Sequence, residues 1–130
     1  MKALVLAPFA ERSLQRLRGQ LDVTYEPWTD QQRIHDPQKL AARVREEAFA
    51  FVVVEGDFLL AEAFAAPSLR LVGVCRSGLN LVDVDAATKH GVAVIHTPAR
   101  NATAVAEFTI GVLPQVSGTL SKGNHQAHPK

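Results

Sequence analysis

The chain has 130 residues, the size of one domain, and its 47% apolar and 21% charged side chains suit a soluble globular protein with a single core. Fourteen basic side chains against thirteen acidic ones leave a net charge of +1, which gives no electrostatic basis for binding nucleic acid or an anionic membrane. One cysteine, Cys75, excludes an intrachain disulfide and makes the reducing cytoplasm the default address.

The opening apolar run, Lys2 to Leu6, is too short to span a membrane and reads as a buried first strand, not a signal peptide. Leu14, Leu17 and Leu21 then recur at helical spacing. Asp22 to Tyr25 reads as a second strand. Asp36-Pro37 is a helix start, with aspartate as cap and proline in the first turn, and Leu40, Val44 and Ala48 form the buried stripe. Phe51 to Val54 is a third strand, apolar without alternation, as in a strand covered on both faces. Phe58 to Ala66 reads as a short helix, Leu69 to Val74 as a fourth strand, and the run after Asp85 as a short helix capped by that aspartate and closed by Gly91. Val92 to Ile95 is a fifth strand, and Thr103 to about Leu113 a last helix.

Strands alternating with helices predict an α/β fold: a flavodoxin-like, doubly wound, five-stranded parallel sheet in three layers, ordered 2-1-3-4-5. The predicted domain is 1–113. Residues 114–130, polar and opened by Pro114, are expected to be a disordered tail.

Ligands of open parallel sheets sit beyond the carboxyl ends of the strands. Four loops qualify: Pro8-Phe9, Glu55-Gly56-Asp57, Cys75 to Leu81, and Thr97 to Asn101. The third is the richest, with a cation, a glycine and small polar groups in Arg76-Ser77-Gly78-Leu79-Asn80. Its backbone amides could hold an anion such as a carboxylate. Equally, Gly78 could serve only a tight turn and Arg76 be a solvated charge. His96 at the end of the fifth strand reads as a local hydrogen-bonding group, and Cys75 as small packing. Glu107 is either an interface residue or solvated. His125 and His128, without further ligands, do not make a metal site.

The stretch from Leu69 to Leu113 resembles the D-isomer-specific 2-hydroxyacid dehydrogenase family. The resemblance rests on Arg76 to Gly78 followed by VDVDAAT, on HGVAVIHTP ending at Thr97-Pro98, and on ARNATAVAEFTIG with Asn101 ahead of Val105-Ala106-Glu107. It implies a substrate domain built from both chain ends, with an NAD(P)-binding domain inserted between them. The amides of Ser77, Gly78 and Leu79, beside Arg76, would hold the carboxylate of a 2-hydroxy or 2-keto acid. Leu79, Asn80 and Asn101 would be the cofactor-adjacent residues, and the helix over 101–113 would contribute to a homo-oligomer contact. The chain departs from the family pattern at His96, where asparagine is commoner, at Ala99, where glycine is common, and at Leu81-Val82, where a polar pair is usual.

Hydride transfer needs a bound nicotinamide, an arginine to orient the substrate and an acid/base. In the family these groups come from later sequence, and no G-x-G-x-x-G follows any strand of this chain. The expectation is therefore a truncated substrate-binding domain with no catalytic residue and no metal, inactive alone and binding no cofactor by itself. It would leave Val105, Phe108, Ile110 and Val112 exposed. The alternatives are a free-standing module that binds a small carboxylate or a protein, and a gene remnant. Flavodoxin is disfavoured because the loop after the first strand lacks a phosphate-binding glycine-hydroxyl pattern. A receiver domain is disfavoured because that loop lacks acidic residues.

Overall fold

A computed structural model describes residues 1–99 and 101–113, which divide into two units, Met1–Pro98 and Ala99–Lys130. The expectation for the tail at 114–130, like the reading of His125 and His128, lies outside the described residues.

In the first unit, five parallel strands alternate with helices: β1 (Lys2–Val5), α1 (Glu11–Arg18), β2 (Asp22–Tyr25), α2 (Trp28–Gln31), α3 (Pro37–Glu46), β3 (Phe51–Val54), α4 (Ala61–Phe64), β4 (Leu71–Val74), α5 (Val84–Lys89) and β5 (Ala93–His96). The sheet order is β2-β1-β3-β4-β5, the flavodoxin-like order expected from the sequence. Every pairing is parallel, with Val52 opposite both Leu4 and Val72.

Period-two geometry sends alternate side chains to opposite faces. On one face Leu4, Leu6, Val52, Val54, Val72 and Val74 meet Leu40, Ala41 and Val44 of α3, Ala63 and Phe64 of α4, and Ala87 of α5, all buried. On the other face α1 contributes Leu14, which is buried, with Leu17 and Leu21 beside it. A groove of about 400 Å³ runs along this face between Leu17, Phe51, Val53, Leu71, Gly73 and Ile95. The unit has three layers, but one of them consists of α1. This qualifies the reading of Phe51–Val54 as covered on both sides: Val52 and Val54 are fully buried, while Phe51 and Val53 are only half-buried.

Four local expectations are corrected. Ala48, expected in the buried stripe of the helix with Leu40 and Val44, lies beyond the end of α3, exposed and with φ of 55°. The cap of α5 is Asp83, whose Oδ1 accepts from Ala86 N–H at 2.8 Å, and Asp85 sits inside the first turn. An N-cap must lie outside the helix with extended backbone, and Asp83 has that geometry. The helix expected over Phe58 to Ala66 shortens to α4, because Leu59 is extended and pairs with Val82: Leu59 N–H donates to Leu81 O, and Asp83 N–H donates to Leu59 O. The four-residue α2 was not foreseen; Pro27 precedes it and Gln32, with φ of 51°, ends it. Asp36 does cap α3, accepting from Lys39 N–H at 3.0 Å, and Gly91 closes α5 with φ of 68°.

In the second unit a helix, α6 (102–113), follows Asn101. Val105, Phe108, Ile110 and Leu113 are exposed and Val112 is half-buried, so the expected exposure holds for all but Val112. Ala99, at the position where the resembled family commonly has glycine, adopts φ of 57°, a conformation that strains a residue bearing a Cβ.

Candidate substrate site

β3, β4 and β5 deliver three of the four candidate loops to one edge of the sheet. The ladder runs one residue past β3 and β4, where Cys75 N–H donates to Val54 O at 2.8 Å. Beyond it the chain bends through Arg76, Ser77, Gly78, Leu79 and Asn80. Arg76, Ser77, Gly78 and Asn80 are exposed, while Leu79 turns inward against the core cluster. Leu79 O accepts from Val82 N–H at 3.0 Å, which closes the loop. Leu79 therefore anchors the loop with its side chain, leaving only its backbone for a ligand.

Gly78 has no left-handed backbone; its missing Cβ bears on a neighbouring side chain instead. A Cβ there would stand 3.0 Å from Asn80 Oδ1, so glycine lets the Asn80 carboxamide fold back over the loop. The β5 side of the loop is held by backbone and ring donors. Thr97 N–H donates to Arg76 O at 3.2 Å, and His96 Nδ1 lies 2.9 Å from Ser77 O. His96 thus fills the local hydrogen-bonding role read from the sequence. Cys75 is half-buried and, with His96 and Thr97, lines the groove of the open sheet face.

The loop after β3 holds an arrangement that sequence reasoning missed. Asp57 is fully buried, and its Oδ1 accepts from His35 N–H at 2.7 Å and faces His35 Nδ1 at 2.9 Å, while Oδ2 has no hydrogen-bond partner. Trp28 Nε1–H donates to Glu55 Oε2 at 2.9 Å. Together these contacts tie the segment between β2 and α3 to the end of β3. The paired residues lie 22 and 27 positions apart, and no local pattern signals either pair.

Nearby, Arg43 grips Glu26 with two bonds, Nη1 to Oε2 at 2.7 Å and Nη2 to Oε1 at 2.9 Å, and donates from Nε to Glu47 Oε1 at 2.7 Å. The Arg43 hydrogen bonds hold the Glu26 carboxyl below the usual carboxylate range, and the same bonds raise Arg43.

The turn after β1 does not fit the pyrophosphate of a dinucleotide. The turn from β1 into α1 runs through Ala7-Pro8-Phe9-Ala10, without glycine. Phe9 N–H is already engaged by Tyr25 Oη at 3.1 Å. Among the described residues, no three histidine, cysteine or acidic side chains converge to hold a metal, and no helix is long and apolar enough to cross a membrane.

A parallel sheet in the order 2-1-3-4-5 defines a domain of the doubly wound α/β class. Residues 3–125 match the family model of the D-isomer specific 2-hydroxyacid dehydrogenase catalytic domain, and the chain belongs to that family. It is 39% identical to YoaD, a 2-hydroxyacid dehydrogenase-type protein of Bacillus subtilis, over 85% of this chain and 33% of the relative. It is 34% identical to the D-3-phosphoglycerate dehydrogenase of Mycobacterium leprae over 93% of this chain and 22% of that one. Among solved structures it is similar to an NADPH-dependent glyoxylate/hydroxypyruvate reductase from Sinorhizobium meliloti in complex with NADP and malonate. That match has 27% identity and a TM-score of 0.60, covering 94% of this chain and 38% of the other. The chain thus spans about a third or less of the length of the curated relatives named here.

Proposed function

We propose that this chain is the substrate-binding part of an NAD(P)-dependent D-2-hydroxyacid dehydrogenase, with the carboxylate of a 2-hydroxy or 2-keto acid held at Arg76 to Leu79. The observation that carries the reading is the exposed amide loop at the carboxyl end of β4 in a chain of this family. Arg76 supplies charge, and the N–H groups of Ser77, Gly78 and Leu79 supply donors; together they orient a carboxylate without reacting with it. Asn80 and Asn101 are the residues proposed to lie nearest the nicotinamide, with the Leu79 backbone beside them.

The cofactor, the acid/base and the orienting arginine belong to polypeptide beyond the described residues. The open sheet face supports this division of labour. Parallel sheets are stable with both faces covered, and a helix from the other chain end would cover Phe51, Leu71 and Ile95. The exposed apolar side chains of α6 support a homo-oligomer contact through 101–113. A reducing, cytoplasmic setting is consistent with the lone Cys75.

Titration of the ¹⁵N-labelled chain with D-glycerate tests the site. Saturable shifts should appear at the Ser77, Gly78 and Leu79 amides, with none from the uncharged glyceramide. Shifts confined to other residues would overturn the assignment. NADH oxidation with glyoxylate or hydroxypyruvate should be undetectable for the chain alone, and robust turnover would show that catalytic groups lie within it.

A further inference from the structure

Two consecutive carbonyls of the Arg76–Asn80 loop are held from the same side. Arg76 O accepts from Thr97 N–H at 3.2 Å, and Ser77 O lies 2.9 Å from His96 Nδ1. A carbonyl oxygen can only accept, so Nδ1 carries the proton in this contact. A trans peptide is planar, with its C=O and N–H pointing in opposite directions. Drawing the Arg76 and Ser77 carbonyls toward β5 therefore aims the Ser77 and Gly78 N–H groups away from it. Two successive amides aimed alike form a concave nest for an anion.

We infer that His96 is a positioning residue for the carboxylate cradle: by gripping Ser77 O it sets the direction of the Gly78 N–H. The inference rests on the carboxylate reading of the loop proposed above. Glycine makes the clamp necessary. Without a Cβ, residue 78 meets little steric resistance to rotation of the Ser77–Gly78 peptide plane, and a flip would point a carbonyl into the cradle where an amide is needed. Thr97 holds the preceding plane through its backbone N–H, so any residue but proline would serve at position 97. The plane at Gly78 depends on a side-chain donor at position 96. The resembled family commonly has asparagine there, and its carboxamide can donate as the imidazole does.

The test is D-glycerate titration of the full ¹⁵N-labelled chain as wild type, His96→Asn and His96→Ala. Wild type and His96→Asn should bind within about twofold of each other, while His96→Ala should bind about five- to tenfold more weakly, the scale of one lost hydrogen bond. The ligand-free Gly78 amide resonance should move in His96→Ala, and the melting temperature should not, because His96 is exposed. Equal affinity of His96→Ala and wild type, or an unmoved Gly78 amide, would overturn the inference while leaving the cradle in place. If wild type itself shows no glycerate-dependent shift at Ser77, Gly78 or Leu79, the carboxylate reading falls and takes the inference with it.

Discussion

Phe51 and Val52 are neighbours in one strand and inhabit different surroundings. Val52 is sealed beneath α3 and α4, whereas Phe51 points to a face that α1 covers only in part. Both faces are apolar, so composition does not distinguish them; the difference lies in how many helices each face receives. One side of this sheet is a finished core, and the other is a surface with the chemistry of a core.

Four substitutions would break or sharpen that contrast. The largest effect is expected from Phe64→Ala under the closed face, at about 3–5 kcal/mol in urea unfolding. Phe51→Ala on the open face should cost only about 1 kcal/mol, since its side chain already keeps partial contact with water. Equal costs would mean that the open face is covered in solution. Next, Glu26→Gln should remove about 0.5–1 kcal/mol at pH 7 by cutting the two-bonded tie between the end of β2 and α3 on the closed side. Because folding lowers the Glu26 carboxyl below its ordinary value of 4.5, this stabilisation is present above that value and is lost as pH falls through the folded one. Wild type and variant should therefore converge as pH falls, and a difference that never narrows on acidification would deny the charge a role. The smallest effect is expected for Ile95→Lys. Ile95 is 56% exposed, so stability should change by less than about 0.5 kcal/mol, while binding of an apolar dye should fall.

Most of the architecture was legible because it is written in short-range patterns. The runs at Lys2, Asp22, Phe51, Leu69 and Val92 became the strands, the last two beginning at Leu71 and Ala93, and the Asp36-Pro37 signal did cap α3. Asp85 reads as the cap in the sequence because two aspartates stand at the start of the same helix, and only the extended backbone of Asp83 shows which of them lies outside it. Leu59 was taken into a helix because four apolar residues in a row carry no period; its bond to Leu81 O, a distant partner, decides its conformation. In the candidate site, the loop from Arg76 to Asn80 could be placed at the edge of the sheet from sequence. The inward turn of Leu79, the fold of Asn80 over Gly78, and the Asp57–His35 pair could not, since each depends on side chains meeting across the fold.

The loop that begins at Cys75 is fastened at its start to Val54 and at its finish, through Leu81 and Asp83, to Leu59. Both fasteners belong to β3 and its continuation, so the span between them is bridged like a rope tied twice to one post. The ends of that span are fixed during folding, so the proposed carboxylate would have less chain entropy to remove there than at a loop free at both ends.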